Sequence, residues 1–357
     1  MDDKRYSQLV EQVAACAVGP DGSVERWLIA ASGGPDSTAL AILANAAGIE
    51  LSLAYVIHAG ARPPSACDVS ETPAALEGAH HMAGGLEVVR GLARTLGTTL
   101  AESLVFVPEG ASWEANARSV RRDALQRLAL GFRFDAVALG HHLDDQAETL
   151  MDRLLRGTGV AGAASMARRD DIWIRPLLGV RRTELAQVCV RHGVSPWQDP
   201  TNAQLGNTRS WIRGHLFPEV QRFSGRDPAV PLARFAEIAR DESALLDELA
   251  HTLLASAQDL NLGTANPDVA VVNPGAMVPG CPLSVRTLNA VHPALARRAL
   301  RLWLGYPRPD EKAVSRMMDV VSGTRIATEV SGYGRVARRR GLLFLERFDP
   351  VGVDGGS

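Results

Sequence analysis

Lysine is nearly missing from this chain. Its 357 residues include two, Lys4 and Lys312, and neither lies near a glycine-rich turn. No G-x-x-x-x-G-K-[ST] run occurs, so the lysine-bearing P-loop is excluded. Any phosphate charge has to be met by backbone N–H groups, a metal or arginine. Cysteine is scarce too: Cys16, Cys67, Cys189 and Cys281 stand far apart, with no C-x-x-C pair. That spacing argues against a disulfide framework and against a zinc site. There is no run of 18 or more apolar residues and no charged-then-apolar leader, so a soluble, cytoplasmic protein with no membrane partner is expected. The formal net charge of −2 is not the strongly basic balance that announces a nucleic-acid binder. Local patches matter more than the total, and arginines do cluster, at Arg118-Arg121-Arg122, Arg153-Arg156, Arg168-Arg169, Arg181-Arg182, Arg297-Arg298-Arg301 and Arg338-Arg339-Arg340. Many of these read as solvated helix faces, although the planar guanidinium also suits phosphate.

The chain does have enough apolar residues, 46%, for a sizeable core, and its length predicts two or three domains. Its organising stretch is 27–47, WLIAASGGPDSTALAILANAA. Residues 27–31 have the length and flanks of a buried strand. Ser32-Gly33-Gly34-Pro35-Asp36-Ser37 interrupts the run, and apolar residues then recur at helical spacing up to Gly48, a helix-ending glycine. Strand, glycine-rich loop and helix together form an anion site, because the glycines let the backbone approach a ligand and the helix start offers unpaired N–H groups. A lone Gly-Gly pair would be only a tight turn. Here Ser32, Asp36 and Ser37 add hydroxyls and a carboxylate, and an acid beside phosphate makes sense with a divalent cation between them.

Around this stretch the pattern alternates. An amphipathic helix is expected over 1–19, strands over 51–58, 100–107 and 136–139, and helices over 86–96 and 113–130, the last capped by Ser112. Residues 59–85, rich in Pro, Gly, Ala and His, read as a long surface loop, with His80-His81 facing solvent. Such β-α alternation predicts an open, mostly parallel sheet with flanking helices and ligands at the carboxyl ends of its strands.

A second chemical cluster, GHHLDDQAETLMDRLLRG over 140–157, opens a helix directly after a strand. Asp145 and Glu148 are three apart, which puts both carboxylates on one helical face. Acids in a first turn often do no more than complement the helix dipole. His141, His142, Asp144 and Asp145 bring four ionisable groups to the strand's end, and a functional role is the better reading. Further on, 168–173 reads as turn and strand, Thr183 as the cap of a helix over 184–192, and 220–228 as a linker. A long helix follows over 232–258, then loop and strand to 282, helix over 283–305, and short strands within 324–348. The expected division is 1–222 for the α/β domain that carries both clusters and 223–357 for a smaller, mainly helical C-terminal domain.

SGGPDS matches the SGGxDS signature of the PP-loop ATP pyrophosphatases, which cleave ATP between the α and β phosphates. Taken in order, SGGPDS, WEANARSVRRDAL, GHHLDDQAETLMDRLLRGTGVAG, IRPLLGVRRTEL, QDPTN and RSWIRGHLFPEV resemble tRNA(Ile)-lysidine synthase. The resemblance covers about 27–220 well and the remainder more loosely. It implies an enzyme that adenylates the carbonyl oxygen on carbon 2 of cytidine 34 in a CAU-anticodon isoleucine tRNA, releases pyrophosphate, and lets the ε-amine of free L-lysine displace AMP from that carbon. It also implies that Ser32, Gly33, Gly34, Pro35, Asp36 and Ser37 hold ATP, with Asp36 near Mg2+. Asp145 and Glu148 would bind or deprotonate the lysine ammonium. Arg118 matches the E-x-x-AR arginine. Arg209 and Arg213 match the R-N-x-I-R arginines and, with His141 and His142, would face substrate or tRNA. The family's run after its second strand is here His58-Ala59-Gly60-Ala61-Arg62, its R-Y tyrosine is Arg122, and its R-N-x-I-R asparagine is Ser210. The sequence leaves the oligomeric state open, a homodimer included.

Two other readings stay in view. A tRNA sulfur transferase of the same superfamily would want paired cysteines, which are absent. A non-catalytic nucleotide- or tRNA-binding module would be expected to have lost Asp36, Asp145 or Glu148, and all three are present.

Overall fold

Asp2 starts the first helix, α1 (Asp3–Ala15), by accepting the Arg5 N–H on its carboxylate at 2.7 Å. That satisfies one of the donors every helix start leaves unpaired. The structure, a computed structural model, describes residues 1–59, 73–108, 113–198, 208–258, 281–306 and 308–346. Two compact units divide the chain, Met1–Arg240 and Asp241–Ser357.

In the first unit the order after α1 is β1 (Trp27–Ala30), α2 (Pro35–Ala46), β2 (Leu51–Ala59), α3 (Pro73–Leu96), β3 (Thr99–Phe106), α4 (Trp113–Gly131) and β4 (Ala136–Ala138). Then come α5 (Leu143–Leu155), α6 (Val160–Ala163), β5 (Arg169–Asp170), β6 (Trp173–Ile174), α7 (Arg182–Arg191), α8 (Thr208–Trp211), a π-helical turn (Ile212–Leu216) and α9 (Phe217–Ser224). The boundary between units falls inside α10 (Ala229–Ala257).

The sheet runs β3-β2-β1-β4-β6-β5, parallel except for the β5–β6 pair. Because β1 is central, both of its faces are covered. Trp27 and Ile29 enter one apolar cluster with Leu40, Leu43 and Leu53, while Leu28 enters another with Val137 and Trp173. A strand buried on both sides needs a continuous apolar run, which is why WLIA shows no alternation. Each fully buried Leu or Ile contributes about 1.5–3 kcal/mol, and α2 buries eight of its residues in succession from Ser37 to Ala44. From β1 the chain leaves through α2 to β2 on one side; from β4 it leaves through α5 toward β6 on the other. The carboxyl ends of β1 and β4 therefore flank a topological switch point, where open α/β sheets bind ligands.

Three expectations change. Residues 73–85 are not loop but the start of α3; their Ala, Gly and His content blurred the helical period, and 60–72 lie outside the described residues, as does Ser112. Thr183 does not cap its helix. It is exposed within the first turn of α7, and Glu184 instead accepts the Arg181 N–H at 2.9 Å. Residues 220–224 continue α9, which ends at Gly225 with φ 68°.

The second unit continues with β7 (Leu283–Ser284), α11 (Val285–Asn289), α12 (Pro293–Leu304), α13 (Glu311–Ser322), β8 (Ala327–Val330), β9 (Gly334–Arg339) and β10 (Leu342–Glu346). Beside its helices it holds a four-stranded sheet, order β7-β10-β9-β8, all antiparallel. The expected helix over 283–305 is in fact β7, α11 and α12. Helix α13 was not foreseen at all; Ala313, Val314, Met317, Val320 and Val321 bury one of its faces. Trp303, fully buried, donates its indole N–H to Cys281 O at 2.9 Å. Among the described residues no helix is long and apolar enough to cross a membrane.

Candidate active site

The glycine-rich loop leaves β1 and enters α2 with Gly34 as N-cap and Pro35 in the first turn. Gly33 has φ 80°, and a Cβ there would lie 2.5 Å from Gly85 O, so both backbone conformation and space demand glycine. Ser37 is buried, and its hydroxyl is used inside the loop. It accepts the Ser32 N–H at 3.1 Å, lies 3.2 Å from Ser32 Oγ, and donates to Gly34 O at 3.2 Å. From the other strand, Gly140 packs so close that a Cβ would sit 3.0 Å from Ser37 N. This brings the second cluster onto the first.

His142 joins the two. It is the N-cap of α5, with Nδ1 accepting the Asp145 N–H at 3.3 Å while Asp145 Oδ2 accepts the His142 N–H at 3.1 Å. The cap needs a lone pair on Nδ1, so the neutral ring carries its proton on Nε2. That nitrogen faces Asp145 Oδ2 at 3.4 Å and Asp36 Oδ2 at 3.7 Å. Burial works against a charged His142, but the nearby carboxylates of Asp36, Asp145 and Asp144 outweigh it, and its pKa is raised. His141 goes the other way: burial, opposed by Asp145 and reinforced by Arg175, Arg209 and Arg121, lowers it to about 4. Burial raises the Asp145 carboxyl, yet His142, His141, the His142 N–H and Arg209 together bring it below its ordinary range.

Asp145 and Glu148 do share a face of α5, and arginines cover it. Glu148, 2% exposed, is held bidentately by Arg213 at 2.6 and 2.7 Å. Arg209 lies 3.4 Å from Asp145 and 3.7 Å from Glu148. Both arginines sit on the segment where α8 widens into the π-turn, a distortion frequent at functional sites. Asp144 turns aside to Arg181, which also binds Asp227, and accepts the Arg182 N–H. Arg118 stands apart: exposed on α4, it pairs with Glu114 one turn back at 3.6 Å. Arg121 is the α4 arginine whose charge reaches His58 and His141.

Sequence reasoning missed four residues that frame the site. Gln146 clamps the Met166 backbone through both amide atoms at 2.9 Å, fixing the segment after the RGTG run; its place between Asp145 and Ala147 was the signal available. Gly84, Gly85 and Trp197 press against the loop from the other side, and nothing in the period of α3 marked them. The QDPTN residues 199–202 lie outside the described residues.

A divalent cation fits one feature here. Asp36 Oδ1 is buried with no hydrogen-bond partner, a costly state for a carboxylate oxygen unless something positive meets it. Among the described residues no cluster of three His, Cys, Asp or Glu side chains forms a cage. A single carboxylate suits Mg2+, which takes one or two protein oxygens and fills the rest from water and substrate phosphates.

A family model described as the PP-loop domain matches residues 3–220. A tRNA(Ile)-lysidine synthase from Mycolicibacterium paratuberculosis is 34% identical over 341 residues, covering 92% of this chain and 93% of the relative. One from Nocardia farcinica is 33% identical over 91% of this chain and 93% of its own length. Another from Thermobifida fusca is 33% identical, over 82% and 87%. The ATP-binding PP-loop thus sits within a likeness that runs nearly end to end, and the chain belongs to the tRNA(Ile)-lysidine synthase family.

Proposed function

We infer that this chain is a ligase that joins L-lysine to carbon 2 of cytidine 34 in the CAU anticodon of isoleucine tRNA, at the expense of ATP. The observation that carries the reading is the His142 bridge, which makes the nucleotide loop and the acid pair one site. The N–H groups of the Ser32–Ser37 loop take the triphosphate, whose charge rises on the leaving pyrophosphate. Mg2+, held by Asp36, would supply positive charge there. The cytidine O2 attacks the α-phosphorus, pyrophosphate leaves, and the lysine ε-amine then displaces AMP from carbon 2. Asp145 and Glu148 receive the lysine ammonium, and the proton it sheds passes to a carboxylate or to water. Arg209 and Arg213, which hold those acids in the absence of substrate, face the phosphates or the tRNA once lysine enters.

On this reading residues 1–222 form the catalytic domain and 223–357 contact tRNA through arginines such as Arg297 and Arg301. The protein acts in the cytoplasm, without membrane partners, as a monomer or homodimer. The test is incorporation of radiolabelled lysine into CAU-anticodon isoleucine tRNA with ATP and magnesium, against omission of ATP and a methionine tRNA. ATP-dependent, tRNA-selective incorporation supports the assignment. ATP cleavage to AMP and pyrophosphate without incorporation would overturn it in favour of another nucleophile.

A further inference from the structure

Trp197 N donates to Gly33 O at 2.9 Å. A trans peptide points its C=O and its N–H in opposite directions, so a carbonyl held on the Trp197 side turns the Gly34 N–H to the other. There its contact is a long one, 3.4 Å to Ser32 Oγ, at the weak end of hydrogen bonding. The Gly34 N–H is valuable because Pro35 follows: proline has no N–H, so the loop and the start of α2 have one donor fewer for phosphate. The same peptide lies between two glycines, Gly33 being at φ 80°, and such a pair turns over easily. A turned peptide would present a carbonyl oxygen to the triphosphate instead of a donor.

Something must hold it, and the packing behind the loop does. The Trp197 indole lies directly on Gly84, where any Cβ would overlap its Nε1. A Cβ on Gly85 would meet Ser32 O at 2.7 Å, Tyr55 Oη at 2.9 Å and the Trp197 ring at 3.2 Å. Two adjacent glycines inside a helix cost about 1 kcal/mol each relative to alanine. Here they make room for one indole and one loop. We propose that Trp197, seated on Gly84-Gly85, is a positioning residue that locks the Gly33–Gly34 peptide with its N–H toward the ATP phosphates. The proposal rests on the ATP-binding reading of this loop and adds the residue that orients its donor.

The experiment uses the full chain and a non-hydrolysable ATP analogue with magnesium, titrated calorimetrically, followed by steady-state kinetics. Gly84→Ala displaces the indole, Trp197→Ala removes it, and Trp197→Phe keeps a ring on the glycines. Losing one N–H to a charged phosphate predicts about tenfold weaker nucleotide binding for the first two variants, with Trp197→Phe within about threefold of wild type. Their KM values for lysine and tRNA are expected unchanged. Nucleotide binding within twofold of wild type in both Gly84→Ala and Trp197→Ala overturns the proposal. So does an equal rise in all three KM values, which marks general loosening. Trp197→Ala keeps the test open if Gly84→Ala does not fold. The nucleotide titration needs neither lysine nor tRNA. A wild-type protein that binds the analogue but ligates no lysine therefore defeats the ligase reading alone, and one that ligates while its variants bind normally defeats this proposal alone.

Discussion

Replacing Glu148 by glutamine keeps the volume and removes the charge. The carboxylate is almost fully buried and accepts two short bonds from Arg213, whose own side chain is 38% exposed. An amide offers one acceptor and turns its NH2 against an N–H donor, so one of the two bonds is lost outright. Breaking a buried ion pair costs about 3–5 kcal/mol. Water reaches more than a third of Arg213, so part of the lost pairing is recovered by hydration, and about 2 kcal/mol is the expected destabilisation. A double-mutant cycle isolates this from other effects of the substitution: Glu148→Gln, Arg213→Met and both together, each unfolded in urea as the full chain, reading the transition both single variants shift. A coupling of about 2 kcal/mol is expected. A coupling below about 0.5 kcal/mol would show that the pair is not the fastening the geometry describes. The same Glu148→Gln protein is expected to bind the ATP analogue normally and to lose lysine incorporation.

Asp36→Ala should abolish pyrophosphate release while leaving the melting temperature within a few degrees, since the substitution removes an oxygen that no protein donor satisfies; a wild-type rate from folded variant would refute this. The two histidines should give opposite pH signatures in denaturation midpoints. His142, raised, contributes stability present in full below its unfolded value of about 6.5 and lost as pH climbs through its folded value, so His142→Gln should cost more at acid than at alkaline pH. His141, lowered to about 4, contributes stability that is present above about 6.5 and disappears as pH falls toward 4, so His141→Gln should flatten the acid limb. Gln146→Ala leaves the Met166 N–H without its partner and should cost about 1–3 kcal/mol in chemical denaturation, with slower lysine incorporation.

Much of this was legible in the residues because local chemistry and topology point the same way. SGGPDS between an apolar run and an alanine-rich helix states strand, anion loop and helix, and 140–157 repeats the pattern at the neighbouring strand. Pairing across long distances was not legible. That Glu148 meets Arg213 follows from where α8 and its π-turn lie against α5, and no spacing within 140–157 encodes it. Gly84 and Gly85 carry no side chain to signal with; their meaning is the indole that rests on them. Helix α13 had a readable stripe at Ala313, Val314, Met317, Val320 and Val321 and was overlooked beside the prolines and glycines that precede and follow it. Ser37 reads as a phosphate ligand from its motif; that its hydroxyl also fastens the loop through Ser32 and Gly34 was not legible there.

The His142 bridge has a consequence for charge balance. Asp36, Asp145 and Glu148 bring three negative charges to the site, and Arg209 and Arg213 bring two positive ones. With His142 neutral, and before Mg2+ takes Asp36 or the arginines turn to phosphate, the group carries one uncompensated negative charge, which a single ammonium would offset. A proton on His142 offsets the same charge. Protonation of this buried ring and binding of a lysine side chain are therefore antagonists by linkage: lysine affinity should weaken as His142 titrates, and bound lysine should draw the raised histidine pKa back down.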